Sequence, residues 1–329
     1  MTKQITIAFD VMGFDNHISE AIIAARKFKK QHKNLEIILV GNQKKIAKHI
    51  KTNEFNVHHA NGVINMCDTP LTALRKQNSS MFQAVKLVSD NKADGVLSAG
   101  CTPCYVTLLF TLIKMVKNVK LPGFCPTLPT IKNKPLIMCD VGANINCSSN
   151  DLYNFALMAN IYSSNIYKVK NPKIGIINIG TETGKGLPLQ NETSNLLIKS
   201  KLNYVGFIEP RDLLDGVVDI AICDGYTGNL VLKSLESGLK SVANVLKQEY
   251  KKPQNWFGAI SSIGVIKNVK NRFDYKNHAG AVILGLNKPA VKTHGSADTK
   301  QFLSALDCLY QLIQNDLTSK VKNVFAKRK

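Results

Sequence analysis

Six polar, glycine-bearing stretches carry the residue types that can hold an anion and assist group transfer. Residues 223–229 read Cys-Asp-Gly-Tyr-Thr-Gly-Asn. Asp224, Thr227 and Asn229 offer polar side chains, while Gly225 and Gly228 let the backbone approach a ligand closely. The apolar run 217–222 precedes this stretch, and an amphipathic pattern over 230–250 follows. A strand therefore leads into a helix N-terminus, whose free N–H groups suit an anion. The plain alternative is a strand–helix turn in which Asn229 caps the helix. Residues 178–186 begin with Asn178 and hold Gly180, and Gly184 and Gly186 flank Lys185. Backbone N–H groups and the Lys185 ammonium could cradle a phosphate there. No Ser or Thr follows the lysine, so this is not a Walker A loop, and no GxGxxG turn marks a dinucleotide site. The other stretches hold Asp10 with Gly13, Ser98 with Gly100, Asn144 closing 140–144, and His294 with Gly295 and Ser296. His294 could be a core histidine, but its place beside Gly-Ser at a strand end favours a ligand rim.

Each stretch follows an apolar, strand-like run. Strands are expected at 5–9, 35–40, 57–60, 94–97, 136–139, 174–178, 205–208, 217–222 and 290–292. Helical patterns fill 19–31, 43–50, 103–117, 151–167, the stretch up to 199, 230–250 and 298–314. A further helix over 70–89 breaks near Gln77 and Asn78, with Ser79 or Ser80 as a cap. Strand, glycine turn and helix in alternation predict a doubly wound, mostly parallel α/β sheet. The turns at strand carboxyl ends then gather on one rim, where ligands bind in such sheets. One domain is expected over 1–329, with a helical hairpin insertion at 250–272.

The chain has 329 residues and a formal net charge of +20. That charge suits an acidic protein or an anionic membrane surface, or it reflects a lysine-rich composition spread over the surface. Basic residues are dispersed and aromatics are not interleaved with them, so no nucleic-acid partner is expected. Cys101 and Cys104 form a lone CxxC, and His58 and His59 lack a nearby third ligand, so no metal site is expected. The first strand starts at once and no apolar run is long enough to span a bilayer, so a cytoplasmic protein with reduced thiols is expected. Leu232, Leu235, Leu239, Val242 and Leu246 form a heptad-like stripe, read as core or as a dimer interface. Residues 251–267 hold Trp256, Phe257, Ile260 and Ile263 between lysines, read as an interfacial membrane tip or a buried connector. The basic tail 320–329 is expected to fray.

Taken in order, 8–13, 98–100, 140–144, 178–180 with Lys185 and Gly186, 211–214, 223–229 and 294–296 resemble the PlsX-type phosphate acyltransferases of bacterial phospholipid synthesis. The likeness covers nearly the whole chain. Phe14, Cys101, Pro103 and Pro210 depart from the family pattern. The resemblance implies a three-layer α/β/α sandwich like those of isocitrate dehydrogenases and phosphotransacetylases. It also implies a homodimer, peripheral membrane association and no cofactor. The implied reaction joins a long-chain acyl group from acyl carrier protein to inorganic phosphate, and the acyl phosphate feeds a membrane glycerol-3-phosphate acyltransferase. On that reading Lys185 holds phosphate and Asn229 stabilises the carbonyl oxygen, with Asp224 and His294 orienting groups or managing the proton. Asp10, Gly13, Ser98, Gly100, Asn144, Asn178, Gly180, Gly186, Thr227, Gly228, Gly295 and Ser296 would line substrate and phosphate. A rival route makes Cys223 or Cys101 an acyl-accepting nucleophile. Other classes left open are a metal- and nicotinamide-dependent dehydrogenase, a phosphotransacetylase acting on acyl-CoA, and a non-catalytic carrier-protein or membrane-binding module.

Overall fold

Apolar runs of four to six residues form strands here because a strand covered on both faces has no room for polar side chains. The computed structural model describes residues 4–273 and 280–328. These begin with β1 (Ile5–Asp10), α1 (Ile18–Gln31), β2 (Leu35–Gly41), α2 (Gln43–Ala47) and β3 (Asn56–His59). Next come α3 (Pro70–Arg75), α4 (Ser80–Ser89), β4 (Gly95–Ser98), α5 (Thr102–Leu108), β5 (Gly123–Cys125), β6 (Thr127–Pro129) and β7 (Pro135–Cys139). Then follow α6 (Ser149–Ile166), β8 (Ile174–Ile177), α7 (Pro188–Ile198), β9 (Tyr204–Ile208), β10 (Ile220–Ile222) and α8 (Gly225–Tyr250). The chain closes with α9 (Trp256–Arg272), β11 (Ala281–Leu284), β12 (Ala290–Lys292), α10 (Thr299–Gln314) and α11 (Leu317–Ala326).

The strands form a mostly parallel α/β sandwich, but in two sheets and not the one that the alternation suggests. The seven-stranded sheet has the order β3-β2-β1-β4-β12-β11-β5, and the five-stranded sheet the order β6-β7-β10-β8-β9. Residues 123–129 pass from one to the other. Phe124 pairs with Ile283 in β11, and Thr127 pairs with Ile137 in β7. Pro126 lies between, and with no N–H it cannot continue the ladder. In the larger sheet β2 lies on one side of β1 and β4 on the other, both parallel to it. The carboxyl ends of β1 and β4 thus flank a topological switch point, where open α/β sheets bind ligands.

Helices cover both faces of the larger sheet. Ile7 and Phe9 of β1 point into the cluster that holds Ile22, Phe28 and Phe302, while Ala8 joins Met81, Val85 and Tyr105 on the opposite face. Phe9 and Phe302 stack with ring centroids 5.4 Å apart, and Phe14 meets Phe302 edge-on at 5.2 Å. A third cluster, with Leu136, Met138, Ile177 and Ala221, packs under Leu232 and Leu235 of α8.

Local differences from the expected elements have physical causes. Ser79 caps α4 through Phe82 N, as its position suggested. The helix expected over 103–117 begins at Thr102, widens into a π turn over Leu109–Ile113, and stops where Lys114 takes a left-handed φ of 64°. The tail is not frayed over its described length, because Leu317, Val321 and Phe325 bury one face of α11. Lys329 lies outside the described residues. The stripe on α8 divides: Leu232 and Leu235 pack on the smaller sheet, while residues 237–249 are exposed. Trp256, Phe257, Ile260 and Ile263 of α9 are exposed, Phe257 at 90%.

Candidate active site

At the smaller sheet the rim is built around Asp140, which follows β7 directly. Burial raises its carboxyl to about 6, against the pull of the N–H groups that surround it. Its Oδ1 accepts from Phe124 N at 2.9 Å and Ala143 N at 3.3 Å. Its Oδ2 accepts from Asn144 N and Asn144 Nδ2, both at 2.8 Å. Asn144 Nδ2 also donates to Pro122 O at 2.6 Å, so this amide is committed to the loop itself. A side chain on Gly228 would collide with the Asp140 carbonyl oxygen, so glycine lets α8 seat directly on this loop.

The helix starts earlier than the sequence pattern suggests, and its cap is Asp224 and not Asn229. Asp224 Oδ1 accepts from Thr227 N at 2.9 Å, and its Oδ2 accepts from Thr227 Oγ1 at 2.8 Å. Asp224 O takes the first helical bond, from Gly228 N, and Gly225 N donates to Asn144 O, each at 2.9 Å. Of the first-turn donors, Tyr226 N alone has no partner among the described residues. Asn229 stands on the first full turn, half-buried over Gly142, where its side chain lies 3.5 Å from the place of a Cβ. Among the described residues no group hydrogen-bonds to the Asn229 side-chain amide, which leaves it open to a ligand.

Directly after the neighbouring strand β8, Asn178 donates through Nδ2 to Lys185 O at 3.0 Å and holds the glycine loop closed. Lys185 folds back beside Gly180, and its Nζ meets Glu182 Oε1 at 2.6 Å with both side chains more than half exposed. This ion pair lowers the Glu182 carboxyl. Glu182 thus occupies the Lys185 ammonium as an internal anion.

The larger sheet supplies the other rim. Ser98 Oγ donates to Asp10 Oδ2 at 2.7 Å across the switch point, and Gly100 N donates to Ser98 Oγ at 3.1 Å. Burial raises Asp10 to about 6, although hydrogen bonds from Ser80 and Ser98 oppose it. Asp15 N donates to Gly295 O at 2.8 Å, which joins the loop after β1 to the loop after β12, while a Cβ on Gly13 would sit 2.7 Å from Ile64 O, so Gly13 lets the first loop pack on the loop after β3. Lys292 ends β12 with 5% of its surface exposed, and burial holds it down at about 8. His294 Nδ1 lies 2.8 Å from Ser296 Oγ and accepts from Ser296 N at 3.2 Å. His294 keeps an exposed edge, while desolvation and then the Lys292 charge hold it below the usual histidine value.

The expected residues therefore fall in two groups. Asp10, Gly13, Ser98, Gly100 and 294–296 share the larger rim, and Asn144, Asn178, Gly180, Lys185, Gly186 and 224–229 the smaller. α8 connects them: it starts at the smaller rim, and its Glu236 and Lys240 are close enough to act on His294. Asn229 and Glu236 are seven residues apart on that helix, roughly 10 Å along its axis. Lys292, Asp140 and Glu182 were not singled out from sequence. A lysine ending an apolar strand reads as solvent-facing, and in the 140–144 stretch Asn144 is the polar residue read as part of the site.

The cysteines are poorly placed for acyl transfer. Cys223 is buried, donates to Asp140 O at 3.3 Å, and burial together with the Asp140 and Asp224 charges pushes its thiol well up. Cys101 is buried, and it and Cys104 share Asp68 O as acceptor. His58 and His59 bond to Gln83 and to Gln43 N. Among the described residues no group of three His, Cys, Asp or Glu could hold a metal ion.

A family model described as fatty acid synthesis protein matches residues 5–320. A phosphate acyltransferase of Malacoplasma penetrans is 48% identical over 321 residues, 97% of each chain. Proteins of the same name from Ureaplasma parvum and Mycoplasma pneumoniae are 44% and 45% identical, covering 97% and 96% of this chain and 97% of each relative. A solved phosphotransacetylase of Streptococcus pyogenes superposes with a TM-score of 0.60 at 15% identity, over 96% of this chain and 94% of that one. A branched-chain phosphotransacylase of Enterococcus faecalis gives 0.59 at 14%, over 94% and 99%. These two structures share the fold. The sequence relatives match along nearly the whole length, and the chain belongs to the phosphate acyltransferase family of enzymes.

Proposed function

We propose that this enzyme transfers the acyl group of a long-chain acyl carrier protein thioester to inorganic phosphate. The acyl phosphate product then feeds a membrane glycerol-3-phosphate acyltransferase in phospholipid synthesis. Full-length similarity to proteins named phosphate acyltransferase carries this reading. The rim geometry is compatible with it: a lysine in a glycine loop stands on β8, beside β10, whose strand end leads to the uncommitted amide of Asn229.

A phosphate oxygen attacks the thioester carbonyl directly. The new C–O bond forms, the C–S bond breaks, and the proton of hydrogen phosphate ends on the departing thiol. Lys185 leaves Glu182 to hold the phosphate, while Asn229 and Tyr226 N face the carbonyl oxygen as its charge develops. Asp224 contributes by fixing the helix start that carries both donors. The buried, protonated Cys223 argues against an acylated enzyme.

The same reading extends to partners. Acyl carrier protein is the acidic partner that a net charge of +20 suits. The exposed Val242, Val245 and Leu246 of α8 offer a surface for a homodimer, and the exposed apolar residues of α9 a surface for peripheral attachment to an anionic membrane from the cytoplasmic side. Among the described residues no helix is long and apolar enough to cross a membrane.

The deciding experiment incubates an acyl carrier protein thioester with phosphate and enzyme, and traps the product with hydroxylamine as the hydroxamate. Phosphate-dependent hydroxamate is expected. Its absence, together with acyl transfer from acyl-CoA or a reaction requiring nicotinamide nucleotide, would replace this reading.

A further inference from the structure

His294 is the side chain of the larger rim with an exposed ring, and its neighbours determine which nitrogen carries the proton. Ser296 N–H points at Nδ1 from 3.2 Å, and Ser296 Oγ lies 2.8 Å from the same atom. A backbone N–H can only donate, so Nδ1 must present its lone pair. The neutral ring then carries its proton on Nε2. A second proton, on Nδ1, would set two N–H groups against each other.

Behind this turn stands Lys292. Its Nζ donates to Ala99 O at 3.2 Å and to Thr293 O. One acceptor belongs to the loop after β4 and the other to the residue before His294, so a single ammonium ties two strand ends together. No described carboxylate lies within ion-pair distance of it. A buried cation is costly, and the Asp10 and Asp15 charges offset part of that cost without forming an ion pair. The same charge acts on His294. The charges that act on His294 are Lys292 from β12, Asp15 from the loop after β1, and Glu236 and Lys240 from α8. Two are cations and two are anions, and Lys292 is the buried one, where screening by water is weakest.

We propose that Lys292 is a positioning residue which, with Ser296, holds His294 as the neutral imidazole protonated at Nε2, so that the ring serves acyl transfer as a hydrogen-bond donor to an anionic substrate oxygen and not as a base. The donor role rests on the acyl-phosphate reading above. The tautomer and its dependence on Lys292 do not.

Nitrogen NMR of the intact 15N-labelled protein separates these. The chain has seven histidines, and loss of one ring signal in His294→Gln assigns the right one. At neutral pH the wild-type ring should show an unprotonated Nδ1 and a protonated Nε2. In Lys292→Met the ring should titrate at a higher pH, by about half a unit or more, and Lys292→Arg should restore the wild-type midpoint. The acid limb of the kcat/KM profile should move by the same amount in Lys292→Met. A wild-type ring protonated at Nδ1, or an unmoved midpoint in a folded Lys292→Met, overturns the proposal. If Lys292→Met does not fold, the wild-type tautomer and the Lys292→Arg midpoint still decide it: a midpoint far from wild type in the charge-conserving variant overturns it. An absence of acyl phosphate with the predicted NMR signature would remove only the substrate assignment.

Discussion

On the proposed reading Glu182 and an incoming phosphate compete for the same ammonium, so Lys185 exchanges one anion for another. The pair is exposed, which keeps the exchange inexpensive. Glu182→Gln should therefore lower the KM for phosphate by about two- to fivefold with kcat nearly unchanged, whereas Lys185→Ala should cut kcat/KM for phosphate by about tenfold or more. Steady-state kinetics with phosphate varied at saturating thioester checks both, and an unchanged rate in Lys185→Ala would remove that residue from the site. Asp140 makes a prediction about stability. Its folded pKa is raised from 3.8 to about 6, so between those values the folded state holds more proton than the unfolded one. This carboxyl's contribution is then most favourable near pH 4 and is lost as pH rises through 6. Asp140→Asn cannot titrate and lacks that slope. The stability difference between variant and wild type should shift in the variant's favour by on the order of 3 kcal/mol between pH 4 and 7, read from urea titrations. A difference independent of pH would mean that the buried carboxyl is not raised.

The start of α8 tests how one element aims several side chains. Asp224 holds the first turn through Thr227, and Asn229 sits one turn later. Asp224→Ala should cost about 1 kcal/mol in urea unfolding and depress kcat, while Asp224→Asn should keep most of both, because an amide oxygen can still accept from Thr227 N. If the asparagine variant were as slow as the alanine variant, the carboxylate would have a role beyond the cap. The same element shows where the sequence was readable. The strand, the rim position and the helix after it follow from periodicity, and so do β1, β4, β7, β8 and their turns. The helix start does not, because Asp224 and Asn229 are equally good caps and two glycines between them argue against helix. The glycines are there for packing: both lie against the Asp140–Asn144 loop, a tertiary contact that local propensity cannot report. Pro126 was likewise visible without its consequence, since a proline that parts one sheet into two looks like any loop proline. Phe14, a departure from the family pattern, is accounted for by its edge contact with Phe302. The role of Lys292 was hidden because its partners, Ala99 and Thr293, are carbonyls that any residue carries.

At the scale of the molecule, charge and exposed apolar surface have to be considered together. A net charge of +20 spreads attraction for anions over the surface, and α9 joins it to a set of large unburied side chains. Trp256 is 59% exposed, Phe257 90%, Ile260 68% and Ile263 60%, and Lys251, Lys252 and Lys267 flank them. A helix of this kind gains by burying its apolar side at the headgroup boundary while its lysines meet anionic lipid. Two lipid compositions and two salt concentrations separate the contributions. Sedimentation with phosphatidylglycerol vesicles should bring the wild type down at low salt, and raising the ionic strength from about 0.01 M to about 0.15 M should weaken binding as the Debye length falls from about 30 Å to about 8 Å. Neutral vesicles should capture much less. Changing Trp256, Phe257 and Ile260 to serine should abolish binding at both salts while leaving turnover of a soluble thioester intact, since none of the three belongs to either rim. If the triple variant instead sediments with vesicles like the wild type but loses its self-association in sizing experiments, α9 is a contact between copies of the chain and the membrane reading fails.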